Sequence, residues 1–196
     1  RVALKNESIN PTGTFIDRGA AVDVCYAFEN GYSSITTTSL GDFSISIAAY
    51  ALHYNIKTLH FIPKDIEIWK LYRLILLNSD VKCVDSYKEA VERALKRCLR
   101  GRCYTSLSPS PTIIDGYRTL VFELIEYFRK GFNWIAIPVG EGVFATAIFK
   151  GINELSEYMG LDMPKILAVR IKDLEPKELK TSYSLPSLFS ELEISE

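Results

Sequence analysis

Short β-rich runs alternate with helical patterns along almost the whole chain, and this alternation limits the folds that the chain can adopt. Strands separated by helices pair in parallel, because each helix carries the chain back to the start of the next strand. We therefore predict an α/β fold in three layers, with mostly parallel sheets and helices on both faces. The predicted strands cover residues 2–4, 34–38, 57–62, 81–84, 134–139 and 165–171, with a short strand or turn at 103–104.

Helical spacing of apolar residues predicts the connecting segments. Asp65 and Ser86 stand where their side chains can cap the start of a helix. The run at 134–139 is almost entirely apolar, which favours a strand buried on both faces. Residues 173–196 have no clear period, so we expect an irregular tail. The predicted helices cover residues 15–29, 44–54, 65–77, 87–99, 115–129 and 143–158.

Composition excludes several classes of protein. The hydrophobic fraction of 47% is too high for a disordered chain. With 23 basic residues against 24 acidic ones, the chain is a poor candidate for binding nucleic acid or an anionic membrane. No apolar run reaches the length of a membrane span, and no signal-peptide pattern occurs, so we expect a cytoplasmic protein. Because the chain begins at Arg1 rather than Met, we also expect that residues have been removed before it.

The four cysteines and two histidines indicate neither a metal site nor a disulfide framework. Cys98 and Cys103 are five residues apart, and no C-x-x-C pair occurs. His53 and His60 lack a nearby set of ligands. We therefore expect reduced structural cysteines and no metal. The glycine patterns of ordinary dinucleotide and P-loop sites are absent as well.

Three segments are candidate binding loops, and two of them, residues 36–42 and 138–143, stand where parallel α/β folds bind ligands. Residues 10–15 form a turn into a helix, as either a plain connection or part of a site. Residues 36–42 offer hydroxyl and backbone N–H groups to an anion, unless the Asp42 carboxylate caps the helix itself. Residues 138–143 contain glycines that let backbone amides approach a phosphate. An inward-pointing Glu141 would repel that phosphate.

Taken together and in order, these segments resemble threonine synthases. Residues 4–19, LKNESINPTGTFIDRG, are similar to the N-P-T-G-S-F-K-D-R-G segment that carries the pyridoxal phosphate lysine in that family. Residues 39–42, SLGD, resemble its S-S-G-N loop. Residues 111–123 resemble its N-P-x-x-x-E-G-x-K-T segment, and residues 138–142, PVGEG, resemble its P-V-G-N-G-G phosphate loop. The match runs from about residue 2 to about residue 171, and it implies fold type II of the pyridoxal phosphate enzymes.

The departures from the family pattern fall on the chemistry. The position of the Schiff-base lysine corresponds to Ile16, which has no amine to bind the cofactor or to remove a proton. The asparagine that contacts the 3′-oxygen of the cofactor corresponds to Asp42, whose carboxylate would face a phenolate of the same charge. Lys5 is too far upstream to replace the lysine. The other departures are Leu40, Phe43, Ile113, Glu141 and Val143.

The resemblance also implies a site and a domain plan. Residues 1–33 and 106–172 would belong to a larger α/β domain, residues 34–105 to a smaller one, and residues 173–196 to the tail. Because threonine synthases are longer, an uncovered sheet edge would favour a homodimer. We expect no catalytic residue, and no cofactor unless the site still accepts pyridoxal phosphate. The cofactor-binding positions implied by the motifs are Ser39, Gly41, Asp42, Gly140, Glu141 and Gly142.

Three functions remain open from the sequence. The first is a non-catalytic threonine synthase-like protein that binds an amino acid or a phosphorylated amino acid as a binding or regulatory module. The second is an active pyridoxal phosphate-dependent lyase of the threonine synthase type, acting on O-phosphohomoserine. The third is a structural or interaction protein whose former site is filled by side chains such as Ile16, Leu40 and Phe43. An open polar cleft would favour the first function over the third.

Overall fold

The computed structural model describes residues 2–39, 41–99, 101–160, 164–171 and 189–194. Helices and strands alternate in it as predicted. The strands are β1 (Ser34–Thr38), β2 (Lys57–Pro63), β3 (Asp80–Val84), β4 (Cys103–Ser106), β5 (Trp134–Pro138), β6 (Lys165–Ile171) and β7 (Phe189–Ile194). The helices are α1 (Ile16–Glu29), α2 (Asp42–His53), α3 (Ile68–Leu76), α4 (Tyr87–Cys98), α5 (Pro111–Glu123), α6 (Ile125–Arg129) and α7 (Val143–Met159).

The chain divides into two compact units, the first ending at Gly116 and the second beginning at Tyr117. The first unit contains a four-stranded sheet in the order β3-β2-β1-β4, and every pair in it is parallel. β1 has the sequence SITTT, whose β-branched side chains suit an interior strand. Its carboxyl end leads through residues 39–41 into α2, which is where parallel sheets place their ligand sites.

Helices cover both faces of this sheet. Neighbouring residues of a strand point to opposite faces, and β2 shows this at Phe61 and Ile62. Ile62 packs in a buried cluster with Ile45 and Ala48 of α2 and Leu74 of α3. Phe61 packs in a second buried cluster, whose other members are Val84 of β3 and Ala90 and Ala94 of α4. The predicted layered α/β fold is therefore confirmed.

The second unit contains a three-stranded parallel sheet in the order β5-β6-β7. The expectation that residues 134–139 are buried on both faces is wrong, because Ile137 is the buried residue of β5 and Trp134 is 51% exposed. An apolar run shows that a strand can be buried but not what covers each face. The predicted domain boundaries stay a prediction.

Two strand predictions at the ends of the described chain are wrong. Residues 2–4 form no strand, and Val2 and Leu4 are 99% and 90% exposed, since nothing in the described chain pairs with them. Conversely, residues 189–194, expected to be irregular, form β7 and pair with β6 in register from Ile166–Phe189 to Ile171–Ile194. The open edge of β6 offers backbone partners that no local sequence pattern announces.

Some helices begin at other residues than predicted, because the predicted capping residues do not all cap. Ser86 caps α4 as predicted, accepting from the backbone N of Glu89 at 3.2 Å. Asp65 caps nothing, because α3 begins three residues later at Ile68. The helix expected at 115–129 begins at Pro111, whose fixed φ suits a first helical turn, and it is interrupted at Leu124.

The cysteine prediction is wrong for one pair. Cys98, the last residue of α4, forms a disulfide with Cys103, the first residue of β4, across a Cα–Cα distance of 4.8 Å. Sequence spacing alone could not show that the turn between them brings both side chains together. Cys25 and Cys83 are free thiols. In the described part of the chain, no helix is long and apolar enough to cross a membrane, and no cluster of possible metal ligands occurs.

Candidate functional site

The turn at residues 10–15 is held from within by Asp17, which is 1% exposed. Thr12 donates twice to its carboxylate, from the backbone N to Oδ2 at 2.7 Å and from the hydroxyl to Oδ1 at 2.6 Å. The Thr14 hydroxyl accepts from the backbone N of Ile16 at 3.4 Å, but the N-cap residue of α1 is Phe15, and no side chain caps this helix. The turn is thus fixed by a carboxylate inside the first helical turn that follows it.

Ile16 is the first residue of α1 and is half-buried. Its side chain carries no donor, acceptor or titratable group, so it supplies only apolar surface to this part of the fold. Lys5 forms an ion pair with Glu7 at 3.2 Å, and it is not among the residues that line the cleft described below. Lys5 therefore does not supply the amine that residue 16 lacks.

In the loop before α2, the side chain of Ser39, and not that of Asp42, binds the backbone N–H groups. The Ser39 hydroxyl accepts from the backbone N of Gly41 at 2.9 Å and from the backbone N of Ser44 at 3.2 Å. The expectation that Asp42 caps this helix is wrong: Asp42 is its first residue, and its carboxylate makes no cap hydrogen bond. Leu40, named as a departure above, lies outside the described residues.

Lys70 of α3 forms an ion pair with the Asp42 carboxylate. Its Nζ lies 3.3 Å from Asp42 Oδ2 and 3.7 Å from a carboxylate oxygen of Glu67. The aliphatic part of Lys70 lies against Gly41, where an added Cβ would be 2.4 Å from Lys70 Cδ. The Lys70 side chain is 13% exposed as a result. Sequence reasoning missed Lys70, because nothing local indicates that α3 reaches this loop.

A cleft of about 220 Å³ opens where the turn, the start of α2 and α3 meet. It brings together two of the predicted segments, the turn at residues 10–15 and the loop ending at Asp42. Arg73 of α3 fixes one wall, with Nη2 donating to the backbone O of Thr12 at 3.0 Å. Sequence reasoning missed Arg73 and Trp69 for the same reason as Lys70. The lining residues are Thr12, Gly13, Thr14, Asp42, Ile45, Trp69 and Arg73.

The second unit carries the predicted phosphate loop. Gly142 has a φ of +83° and precedes α7, and neither Gly140 nor Gly142 has a described atom within 4 Å of the place where a Cβ would stand. The backbone there is accessible, as a phosphate loop requires. Glu141 is exposed as a whole residue, yet partial burial of its carboxyl raises its pKa. Val143 is buried and packs as the first residue of α7.

The residues at these positions do not fit pyridoxal phosphate. Ile16 offers no amine, the carboxylate of Asp42 is paired with Lys70, and the N–H groups of Gly41 and Ser44 are taken by Ser39. Of the other departures, Phe43 and Ile113 are 8% and 0% exposed and serve as core residues. No step through the cofactor can be derived from this donor set.

Comparison with known proteins gives a consistent result. Residues 1–184 match the family described as pyridoxal-phosphate dependent enzymes. The chain is 31% identical to a threonine synthase of Bacillus sp. over 164 residues, covering 83% of this chain and 47% of that protein. It is 29% identical to a threonine synthase of Mycobacterium bovis over 189 residues, covering 94% and 52%. The chain thus spans about half the length of the curated relatives it matches.

Solved structures resemble the fold. Diaminopropionate ammonia lyase of Escherichia coli superposes with a TM-score of 0.72 at 18% identity, covering 85% of this chain and 54% of that one. A pyridoxal 5′-phosphate-dependent aspartate racemase gives 0.73 at 22% identity, covering 86% and 50%. At these identities the likeness concerns the fold, which is the fold type II expected from the motifs.

Proposed function

This chain belongs to the family of pyridoxal-phosphate dependent enzymes, and we propose that it is a threonine synthase-like member that binds a ligand without performing the cofactor's chemistry. Ile16 carries the proposal. It begins α1 directly after the turn at residues 10–15, the segment that resembles the lysine-bearing segment of threonine synthases. An isoleucine there can form no covalent bond with the cofactor aldehyde and can take up no proton.

The loop before α2 supports the same proposal. In threonine synthases the residue corresponding to Asp42 is a neutral asparagine, whereas here a carboxylate is held by Lys70 at 3.3 Å. A negative charge at this position opposes the phenolate oxygen of the cofactor. Several changes at one site are better explained by release from the original chemistry than by a single substitution.

The cleft beside Asp42 supports a binding role rather than a filled site. Its lining includes an acidic residue, Asp42, and a basic one, Arg73, together with Thr12 and Thr14. Groups of opposite charge in one cleft suit a small molecule that carries both charges, such as an amino acid or a phosphorylated amino acid. Trp69 and Ile45 add apolar walls.

Titration of pyridoxal phosphate, followed by the cofactor's absorbance, tests the loss of chemistry. We expect the spectrum of the free aldehyde to persist and no phosphate to be released from O-phosphohomoserine. Calorimetry with L-threonine and O-phosphohomoserine tests the binding role, with Arg73→Gln as the variant and the exposed Arg93→Gln as its matched control. Phosphate release in the presence of the cofactor would favour the active lyase instead.

We also propose a homodimer in the cytoplasm. The proposed dimer uses an edge of the second unit's sheet, where β5 is an end strand among the described residues and Trp134 is 51% exposed. The cytoplasmic location rests on the resemblance to enzymes of amino-acid metabolism. Light scattering coupled to size-exclusion chromatography measures the oligomeric state. A fluorescent fusion viewed in cells shows the location.

A further inference from the structure

Four polar side chains form a continuous series from the loop before α2 into the interior of the first unit. Ser39 Oγ lies 2.9 Å from Ser44 Oγ, which lies 2.8 Å from Thr37 Oγ1. Thr37 Oγ1 lies 2.7 Å from Nδ1 of His60. Ser44, Thr37 and His60 are all 0% exposed, so water does not reach the contacts among these three side chains.

The loop backbone fixes the direction of every hydrogen bond in this series. Ser39 Oγ already accepts from two backbone N–H groups, those of Gly41 and Ser44, which use both of its lone pairs. Its own proton is therefore donated to Ser44 Oγ. The buried Ser44 hydroxyl has no other acceptor among the described residues, so it donates to Thr37. Thr37 Oγ1 is left with Nδ1 of His60 as its acceptor and donates to it.

His60 ends the series as an acceptor. Complete burial lowers the pKa of its imidazole to about 3, so the ring is neutral and only one of its nitrogens carries a proton. Because Nδ1 accepts from Thr37, that proton is on Nε2, which has no hydrogen-bond partner among the described residues. The opposite direction would leave Ser39 accepting three hydrogen bonds at once, beyond its capacity.

The two backbone N–H groups bound by Ser39 are among those that an anion would use at the start of α2. We propose that the Ser39 hydroxyl occupies the place of an anion at this helix terminus, and that the series Ser44, Thr37 and His60 holds it there. Ser39 and its supporting residues are therefore positioning residues. They keep the loop closed around its own side chain and exclude phosphate or carboxylate from the N–H groups of Gly41 and Ser44.

Nuclear magnetic resonance of the full chain tests the direction of the series. In the unmodified protein we expect the imidazole proton of His60 on Nε2 and an unprotonated Nδ1, distinguished by their ¹⁵N resonances and one-bond ¹H couplings. A proton on Nδ1 would overturn the proposal. This measurement needs no substitution, so it does not depend on whether a variant folds.

Inorganic phosphate is the probe for the loop. The comparison is made in Asp42→Asn, so that the carboxylate at the start of α2 does not repel phosphate in either arm. Millimolar phosphate should leave the amide resonances of Gly41 and Ser44 unchanged in Asp42→Asn and shift both of them saturably in Ser39→Ala/Asp42→Asn. Equal shifts in the two variants, or none in a folded double variant, would overturn the proposal. The result is independent of the cofactor titration, so either proposal can fail alone.

The supporting residues are tested by a matched pair in β1. Thr37→Val breaks the series, whereas Thr36→Val removes a hydroxyl of equal burial whose partner is Cys103 Sγ at 3.3 Å. Amide exchange at Gly41 and Ser44 should rise about tenfold in Thr37→Val, the effect of losing one buried hydrogen bond, and stay unchanged in Thr36→Val. Equal exchange rates in the two variants would contradict the supporting role.

Discussion

At the scale of single residues, Ile16 determines which chemistry the segment before α1 can perform. The turn that leads into α1 keeps its shape through Asp17 whether or not residue 16 carries an amine, since both Thr12 contacts to Asp17 bypass Ile16. The fold of this segment and its chemistry are therefore separable. A lysine could be lost here without loss of the turn.

Ile16→Lys alone should not restore the cofactor's covalent attachment, because the Asp42 carboxylate still opposes the phenolate of the cofactor. We expect at least about tenfold less borohydride-trapped adduct at residue 16 than in the double variant Ile16→Lys/Asp42→Asn. Peptide mass spectrometry measures the adduct. Full attachment in the single variant would show that the remaining residues were never an obstacle.

His60 should make the protein less stable in acid. The pKa of this buried histidine falls from 6.5 to about 3, because burial disfavours the charged ring. Below pH 6.5 the unfolded chain takes up a proton that the folded chain refuses. The free energy of unfolding therefore decreases as pH falls between these two values, by up to about 1.4 kcal/mol per pH unit.

Urea denaturation at several pH values within that window measures this slope. Between pH 6.5 and about 5, above the range in which carboxyl groups titrate, the slope should disappear in His60→Gln and persist in His53→Gln, because His53 is exposed. An unchanged slope in His60→Gln would assign the acid sensitivity to other groups.

The sequence predicted site residues only at positions that belong to a linear motif. Ile16 and Asp42 were identified by their place in a linear pattern. Lys70 and Arg73 were not, since their relevance arises from the packing of α3 beside the loop, across a sequence gap of about thirty residues. Long-range neighbours of this kind leave no local signal.

At the scale of secondary-structure elements, the loop between β1 and α2 shows how a turn can satisfy itself. Gly41 takes a φ of +128°, a backbone conformation that side chains with a Cβ rarely adopt, and it leaves room for Lys70. Ser39 then reaches over Gly41 to the first turn of α2. The sequence predicted a self-capped turn as one alternative but assigned the cap to Asp42.

Gly41→Ala should destabilise the protein by about 1–3 kcal/mol, because the new Cβ strains the backbone and displaces Lys70 from Asp42. Gly101→Ala is the matched control, as no described atom lies within 4 Å of its Cβ position and its φ is ordinary. Urea denaturation of both variants provides the comparison. Equal stability of the two would mean that Lys70 and the loop adjust without cost.

The substitution Tyr104→Phe tests the hydrogen bonds that join β4 to α1. Asp23 of α1 is 0% exposed, and its carboxylate accepts hydrogen bonds from Tyr104 at 2.6 Å and from Ser106 and Thr112. Removing one donor from a buried carboxylate should cost about 1–3 kcal/mol. Thermal unfolding measures it, with Tyr32→Phe as control, because the Tyr32 ring packs on Tyr104 without touching Asp23. Equal effects of the two changes would argue against the cluster.

Elements with strong periodicity were predicted almost to the residue, as β1 and β6 show. Elements that depend on tertiary partners were not. β7 pairs with the edge of β6, and residues 2–4 form no strand, since no described strand pairs with them. Local sequence carries the propensity of a strand but not the presence of its partner.

At the scale of the whole molecule, the alternation of strands and helices was enough to predict the architecture, and the ordered motifs were enough to predict the family. The family match and the fold type II neighbours confirm both. The alternation does not predict which residues line the cleft, because its walls come from three separate segments of the first unit. Function depends on such surfaces more than on the fold that carries them.

The central claim is that this chain keeps the fold of a pyridoxal-phosphate dependent enzyme without its covalent chemistry. The most direct test is the intact mass of the full chain after incubation with pyridoxal phosphate and reduction with borohydride. We predict an unchanged mass, apart from scattered labelling of exposed lysines that excess free lysine suppresses. Stoichiometric addition of one cofactor at a single lysine, resistant to that competition, would contradict the claim.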